Sequence, residues 1–218
     1  MNNIGIDASG PLAGVAVLDA DGVVLTRFET PGRPGLIETL PGLLARAVAL
    51  GPVGLLAVSI GPGSFTGLRT ALSLTQGYAG AAGVTLAGVP ADEAFAEAFA
   101  RMARPLWVAI RARKGRIYLI RDGVAAGFAD VNMPRASRPV ALAGDAAPEM
   151  AARLAAAGSD VLLTDARRID PVWVIKAALR RQAAGLAPHA ALPVYVDPPE
   201  AKLPEGGLRP PPVFVSLP

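Results

Sequence analysis

Leu55-Leu56-Ala57-Val58-Ser59-Ile60, followed by Gly61-Pro62-Gly63-Ser64-Phe65-Thr66-Gly67-Leu68-Arg69-Thr70, is the stretch that sets the fold class. A short apolar run bounded by glycine and proline is a buried strand. The glycine loop after it turns the chain, Ser64 is a good N-cap, and a helix follows from Phe65 to about Ala82. A strand, a tight glycine loop and a helix in this order are the building step of an α/β sheet.

Working outward, Asn3–Ser9, Gly14–Asp19 and Val23–Glu29 read as strands, and Asp19-Ala20-Asp21-Gly22 carries hairpin chemistry. They form an antiparallel meander. Leu36, Ile37, Leu40, Leu43, Leu44, Ala47 and Val48 recur at helical spacing, with Pro41 either starting that helix or kinking it. Val84–Val89 is the next strand, and Asp92–Arg101 the next helix. The result is a mixed five-stranded sheet with helices, a first lobe over residues 1–104. Beyond it, Leu106–Ile110 and Arg116–Arg121 flank Lys114-Gly115 as a hairpin, Val140–Leu142 and Val161–Leu163 are short strands, and helices lie near Ala147–Ala157 and Pro171–Ala184. This second lobe, residues 105–200, is smaller and less regular. Residues 201–218 are a proline-rich tail, expected to be extended or disordered.

Composition removes several chemistries. The 218 residues are 52% hydrophobic and 18% charged, a globular composition. The absence of cysteine excludes disulfides, thiolate zinc, iron–sulfur clusters and a thiol nucleophile, and a single histidine, His189, excludes a histidine pair on a metal. The uncharged stretches Ala47–Leu68 and Thr70–Ala91 are long enough to span a bilayer, but glycines and prolines divide them into elements of a soluble domain. The opening residues carry no basic segment, so a cytoplasmic location is expected. Residues 1–109 hold 6 basic and 8 acidic side chains and residues 110–218 hold 15 and 10. Five of the bases, Arg111, Arg113, Lys114, Arg116 and Arg121, sit on the second-lobe hairpin, where they either keep it solvated or contact phosphate.

Three features are candidates for function. The loop residues Gly61, Gly63, Ser64, Phe65, Thr66, Gly67 and Arg69 place backbone amides at a helix N-terminus, where an anion is favoured. The loop is neither a P-loop, a dinucleotide fingerprint nor a nucleophile elbow, and a capped tight turn is the alternative. Arg69, a cation in the first turns of a helix, calls for an acid nearby. Asp7 ends the first strand, where it either helps to hold a metal–phosphate or caps its own turn. Finally, the helices around Leu36, Leu40 and Leu44 and around Leu68, Leu72 and Ala79 carry little charge and need a second cover, from a partner chain or from the second lobe.

The loop Gly61–Thr70, the strand Ile4–Ser9 and the late segment Leu192-Pro193-Val194-Tyr195-Val196 resemble the bacterial tRNA threonylcarbamoyladenosine biosynthesis family TsaB, also called YeaZ. The resemblance implies an actin/Hsp70/sugar-kinase-like (ASKHA) α/β fold of two lobes, the second reduced. It also implies a non-catalytic subunit that pairs with the catalytic sister TsaD and the ATPase TsaE, forms a homodimer when alone, and meets tRNA through the complex. No cofactor of its own is implied, with ATP or ADP at the complex interface. The sister's His-x-x-x-His metal motif is absent from this chain. The family's subunit contact falls on its first two helices, here those of Leu36, Leu40, Leu44, Leu68, Leu72 and Ala79. Two departures stand out: Arg111 and Arg116 replace acids common in the family's hairpin, and the His-Ser that often opens the first helix is missing. The alternative is a small ATP-dependent phosphotransferase of the same fold using Asp7 and the Gly61–Gly67 loop; it would clamp metal and phosphate with one well-placed acid. A metalloglycopeptidase lacks a ligand cluster.

Overall fold

Strands β1 (Asn2–Asp7), β2 (Leu12–Leu18) and β3 (Val24–Pro31) pair antiparallel as a meander, and β1 then pairs parallel with β4 (Val53–Gly61) and β4 with β5 (Thr85–Pro90). The sheet order is β3-β2-β1-β4-β5. These relations come from a computed structural model that describes residues 1–32, 35–112, 115–128 and 134–196. The β2–β3 turn forms as its residues dictate: Asp19 Oδ1 accepts the amides of Asp21 and Val23 at 2.9 and 2.8 Å, and Gly22 takes φ 80°.

Both faces of this sheet are covered, so its central strands are apolar at nearly every position, and the period of two separates the faces. Leu56, Val58 and Ile60 of β4, with Val15 and Val17 of β2, pack under α1 (Leu36–Val48) and α2 (Phe65–Ala82). Leu55 and Ala57 of β4 face the opposite way, onto α3 (Ala91–Ala98) and α5 (Pro171–Ala183), and Ala16 and Leu18 of β2 meet Val172 and Ile175 of α5. The bounds of α2 agree with the sequence reading. Helix α1 runs through Pro41 without ending, from an N-cap at Gly35 whose φ is 90°, and Pro41 lies on its exposed side.

The second sheet corrects the expectation of irregularity. Strands β6 (Leu106–Arg111), β7 (Ile117–Arg121), β8 (Val124–Phe128), β9 (Val140–Ala143) and β10 (Val161–Leu163) form a full five-stranded sheet of order β10-β9-β6-β7-β8. Strand β8 went unread because Val-Ala-Ala-Gly-Phe carries little strand propensity, and its pairing with β7 supplies what its sequence lacks. Helix α4 (Ala147–Ala156) covers the outer face through Met150 and Leu154. The inner face, with Val108, Ile110, Ile120 and Ala143, packs on α3 and α5. The two mixed α/β lobes thus share one central helical layer, the two-lobed ASKHA arrangement expected. The proline-rich tail 201–218, with Arg113 and Lys114 of the hairpin, lies outside the described residues. Among the described residues no helix is long and apolar enough to cross a membrane.

Candidate functional site: a glycine loop, a C-terminal strap and a two-helix groove

The glycine loop lies directly on the turn after β1. Ser64 caps α2, its Oγ accepting the Gly67 amide at 3.3 Å, while the Ser64 amide donates to Ser9 O at 2.7 Å. A Cβ on Gly63 would stand 2.5 Å from Ser9 O, and one on Gly67 would overlap Ala8 O. Those glycines are therefore accounted for by contact with the chain's own backbone at Ala8 and Ser9. Gly61, at φ 95° and followed by a cis bond to Pro62, turns β4 into the loop.

Asp7 is buried beneath this junction. Its Oδ1 accepts the Ser9 amide at 3.2 Å, the Ser9 hydroxyl at 2.7 Å and the Ser59 hydroxyl at 2.5 Å. Burial pushes the carboxyl above the usual carboxylate range, and the hydrogen bonds from Ser59 and Ser9 act against that rise. The bonds to Ser9 make the Asx-type turn cap, and Ser59 ties β1 to β4. Ser59 is a partner the sequence reading passed over, although it is the lone polar residue inside Leu55–Ile60.

Arg69 departs from the expectation of a nearby acid. Among the described residues no carboxylate pairs with it; its guanidinium carbon lies 4.0 Å from the centre of the Phe65 ring, and its Nε donates to Tyr195 Oη at 3.1 Å. The Phe65 and Tyr195 rings are 6.1 Å apart. Tyr195 arrives on a strap formed by residues 187–196. Along it the Gly88 amide donates to His189 O at 2.9 Å, Gln76 Nε2 to Ala191 O at 2.7 Å and the Val194 amide to Ile60 O at 2.8 Å. His189 Nε2 lies 2.8 Å from Glu93 Oε1, which also meets Arg181 at 3.4 Å. The strap covers the open edge of β5 and ends on the glycine loop. The three segments that carried the family resemblance, Ile4–Ser9, Gly61–Thr70 and Leu192–Val196, therefore meet at one place.

The expected partner-facing residues are turned inward. Leu36, Leu40, Leu44, Leu68, Leu72 and Ala79 are all buried in the chain's own core under the first sheet, none more than 7% exposed. The sequence reading found α1 by its helical spacing and α2 by its lack of charge, but an apolar stripe packs on the nearest sheet first. What the two helices offer outward is a groove of about 470 Å³ lined by Ile37, Pro41, Phe65, Arg69, Thr70 and Leu74. Ile37 is 63% and Phe65 44% exposed. Helix α5 of the second lobe lies on the other face of the sheet, and the strap from that lobe reaches the edge of the groove at Phe65 and Arg69 through Tyr195.

Elsewhere, a cavity of about 310 Å³ lies at the edge of the shared helical layer, lined by Glu29, Phe99, Arg167, Arg168, Asp170 and Trp173. Neither Asp7 nor the glycine loop lines it. Arg168 meets Glu29 at 3.2 Å and Arg27 meets Asp170 at 3.4 Å. On the hairpin, Arg111 pairs with Glu149 at 3.0 Å, and Arg121 lies 5.2 Å from the Trp107 ring and 5.9 Å from that of Phe128. Among the described residues no three His, Cys, Asp or Glu side chains are grouped so as to hold a metal ion.

Comparison with known proteins agrees with this architecture. No curated protein sequence matches the chain. A solved structure described as an uncharacterized protein with similarity to peptidase YEAZ from Pseudomonas aeruginosa superposes with a TM-score of 0.67 at 24% identity, covering 90% of this chain and 99% of that one. YeaZ from Pseudomonas aeruginosa superposes with a TM-score of 0.64 at 25% identity, covering 89% and 99%. The sequence profile described as "TsaD: tRNA N6-adenosine threonylcarbamoyltransferase" matches residues 42–174, more than half of the 218. With a YeaZ-like fold over nearly its whole described length, the chain belongs to the tRNA N6-adenosine threonylcarbamoyltransferase family.

Proposed function

We propose that this chain is the non-catalytic, dimerising subunit of a tRNA threonylcarbamoyladenosine complex, holding the catalytic sister TsaD in its working arrangement and meeting the ATPase TsaE and tRNA through that complex, in the cytoplasm. The observation that carries this reading is the outward face of α1 and α2. Ile37, Pro41, Phe65 and Leu74 line an apolar groove that is open among the described residues. Gly42, Gly77 and Gly80 sit on the same two helices with nothing within 4 Å of a Cβ, so no contact among the described residues accounts for them. Glycine inside a helix weakens it, and the compensation is a close approach of another backbone. The same face would make the homodimer when the sister is absent.

Bond chemistry is assigned to the sister. Asp7 is engaged by Ser9 and Ser59 and lines neither of the two cavities described above, and Gly63 and Gly67 of the loop are used in packing on Ser9 and Ala8. The chain then needs no cofactor of its own, and ATP or ADP belongs to the complex interface. The test is copurification with TsaD from the same cell. Ile37→Glu combined with Phe65→Glu changes only exposed positions, so the chain stays folded by circular dichroism while the sister is lost. Undiminished recovery of TsaD with the double variant refutes the proposal.

A further inference from the structure

Arg69 is the sole charged residue of α2, and it stands in the first turns, where the helix dipole opposes a cation. The fold nevertheless holds it in one place: the Phe65 ring lies beneath the guanidinium at 4.0 Å and Tyr195 Oη fixes Nε at 3.1 Å. That leaves the two Nη groups, the ends that form a forked pair with a carboxylate, without a partner among the described residues. Thr66, Thr70 and Ser73 line the same groove as Arg69, together with the apolar Ile37, Pro41 and Leu74.

From this charge complementarity we infer that the groove receives a helix of the partner subunit whose apolar face carries one Asp or Glu, and that this carboxylate pairs with Arg69. The inference rests on the scaffold reading above and specifies its partner. An apolar helix alone would fill the groove but leave a preorganised cation desolvated and unpaired, which is costly. An acid seated on the guanidinium removes that cost, and it fixes the register of the incoming helix, since a carboxylate one turn away would miss the fork. Tyr195 gives the strap a part in the site: it positions Arg69 from outside the helix pair.

The full-length chain in its complex with TsaD supplies the test. In the Arg69→Lys variant a carbodiimide activates a neighbouring carboxylate, and the lysine Nζ displaces the urea to form an amide with net loss of water. Mass spectrometry should find residue 69 joined to an Asp or Glu of the partner. Arg69→Met should weaken the complex about tenfold at low salt and flatten its salt dependence. Tyr195→Phe, which keeps the ring and removes the bond to Nε, should lie between wild type and Arg69→Met. An intact complex with no cross-link at 69, a cross-link to an acid of this same chain, or an Arg69→Met affinity and salt slope equal to wild type each overturn the inference. Failure of the scaffold reading is distinct, because then Ile37→Glu with Phe65→Glu also leaves the complex unchanged.

Discussion

At the scale of single residues, Asp7 shows how an acid at a strand end is put to structural use. Its carboxylate is almost fully buried and stabilised by two serine hydroxyls and one amide. Burial raises its folded-state value above the ordinary 3.8, so the folded protein holds the proton more tightly than the unfolded chain does. The stabilisation from that proton is complete below the unfolded value and is lost as pH rises through the raised folded value. Asp7→Asn keeps an oxygen acceptor for Ser9 and Ser59 without the charge. The difference in Tm, variant minus wild type, should therefore be larger at pH 7 than near pH 4, as read by thermal denaturation; a difference independent of pH contradicts the assignment. Ser59→Ala removes one donor from the buried carboxylate and should cost about 1–3 kcal/mol in denaturant unfolding at pH 7.

At the scale of elements, α1 and α2 divide into inner and outer faces with opposite sensitivities. Leu40 is fully buried in the core, and Leu40→Ala should destabilise by about 2–5 kcal/mol, whereas Ile37→Ala on the outer face should stay within about 0.5 kcal/mol. Urea unfolding of the two variants checks the contrast. Gly77→Ala is expected to separate stability from association. The new methyl meets nothing within 4 Å and should stabilise the helix by about 0.5–1 kcal/mol, while recovery of TsaD falls because the partner backbone loses its close approach. Gain in both would show that Gly77 has no place in the interface. Much of this scale was legible in advance: the glycine loop and the Ser64 cap placed α2, the helical spacing of Leu36 to Val48 placed α1, and the Asp-Ala-Asp-Gly turn gave the β2–β3 hairpin. Periodicity does not say which of two surfaces a stripe will meet, so the leucines expected to face a partner instead face β1, β2 and β4.

At the scale of the whole molecule, α5 joins the lobes. It leaves the second sheet after β10 and lies across the first, so closely that a Cβ on Gly5 of β1 would overlap Pro171 O and stand 2.6 Å from Ile175 Cγ1. The cluster containing Val174, Ala177 and Ala178 draws residues from both sheets. The two lobes should therefore unfold together. The two tryptophans provide the test, since Trp107 sits in the outer core under α4 and Trp173 packs in the shared layer. Single-tryptophan variants, Trp107→Phe and Trp173→Phe, should give coincident urea midpoints once each variant's own stability is measured by circular dichroism; fluorescence transitions that separate from the circular dichroism would show independent lobes.

The amino-acid sequence by itself determined the order and kind of nearly all the elements and the turn chemistry between them, because helix and strand periods, caps and glycine turns act between near neighbours along the chain. It also determined the chemistry that is impossible here, through residues that do not occur. Only the tertiary structure decided which way each apolar stripe points, that the second sheet is complete with β8, and that Arg69 rests on Phe65 and Tyr195, 126 positions apart in the case of the tyrosine. Those outcomes depend on contacts between distant segments, whose geometry exists only once the sheets have formed and α5 has brought the chain back across the first of them.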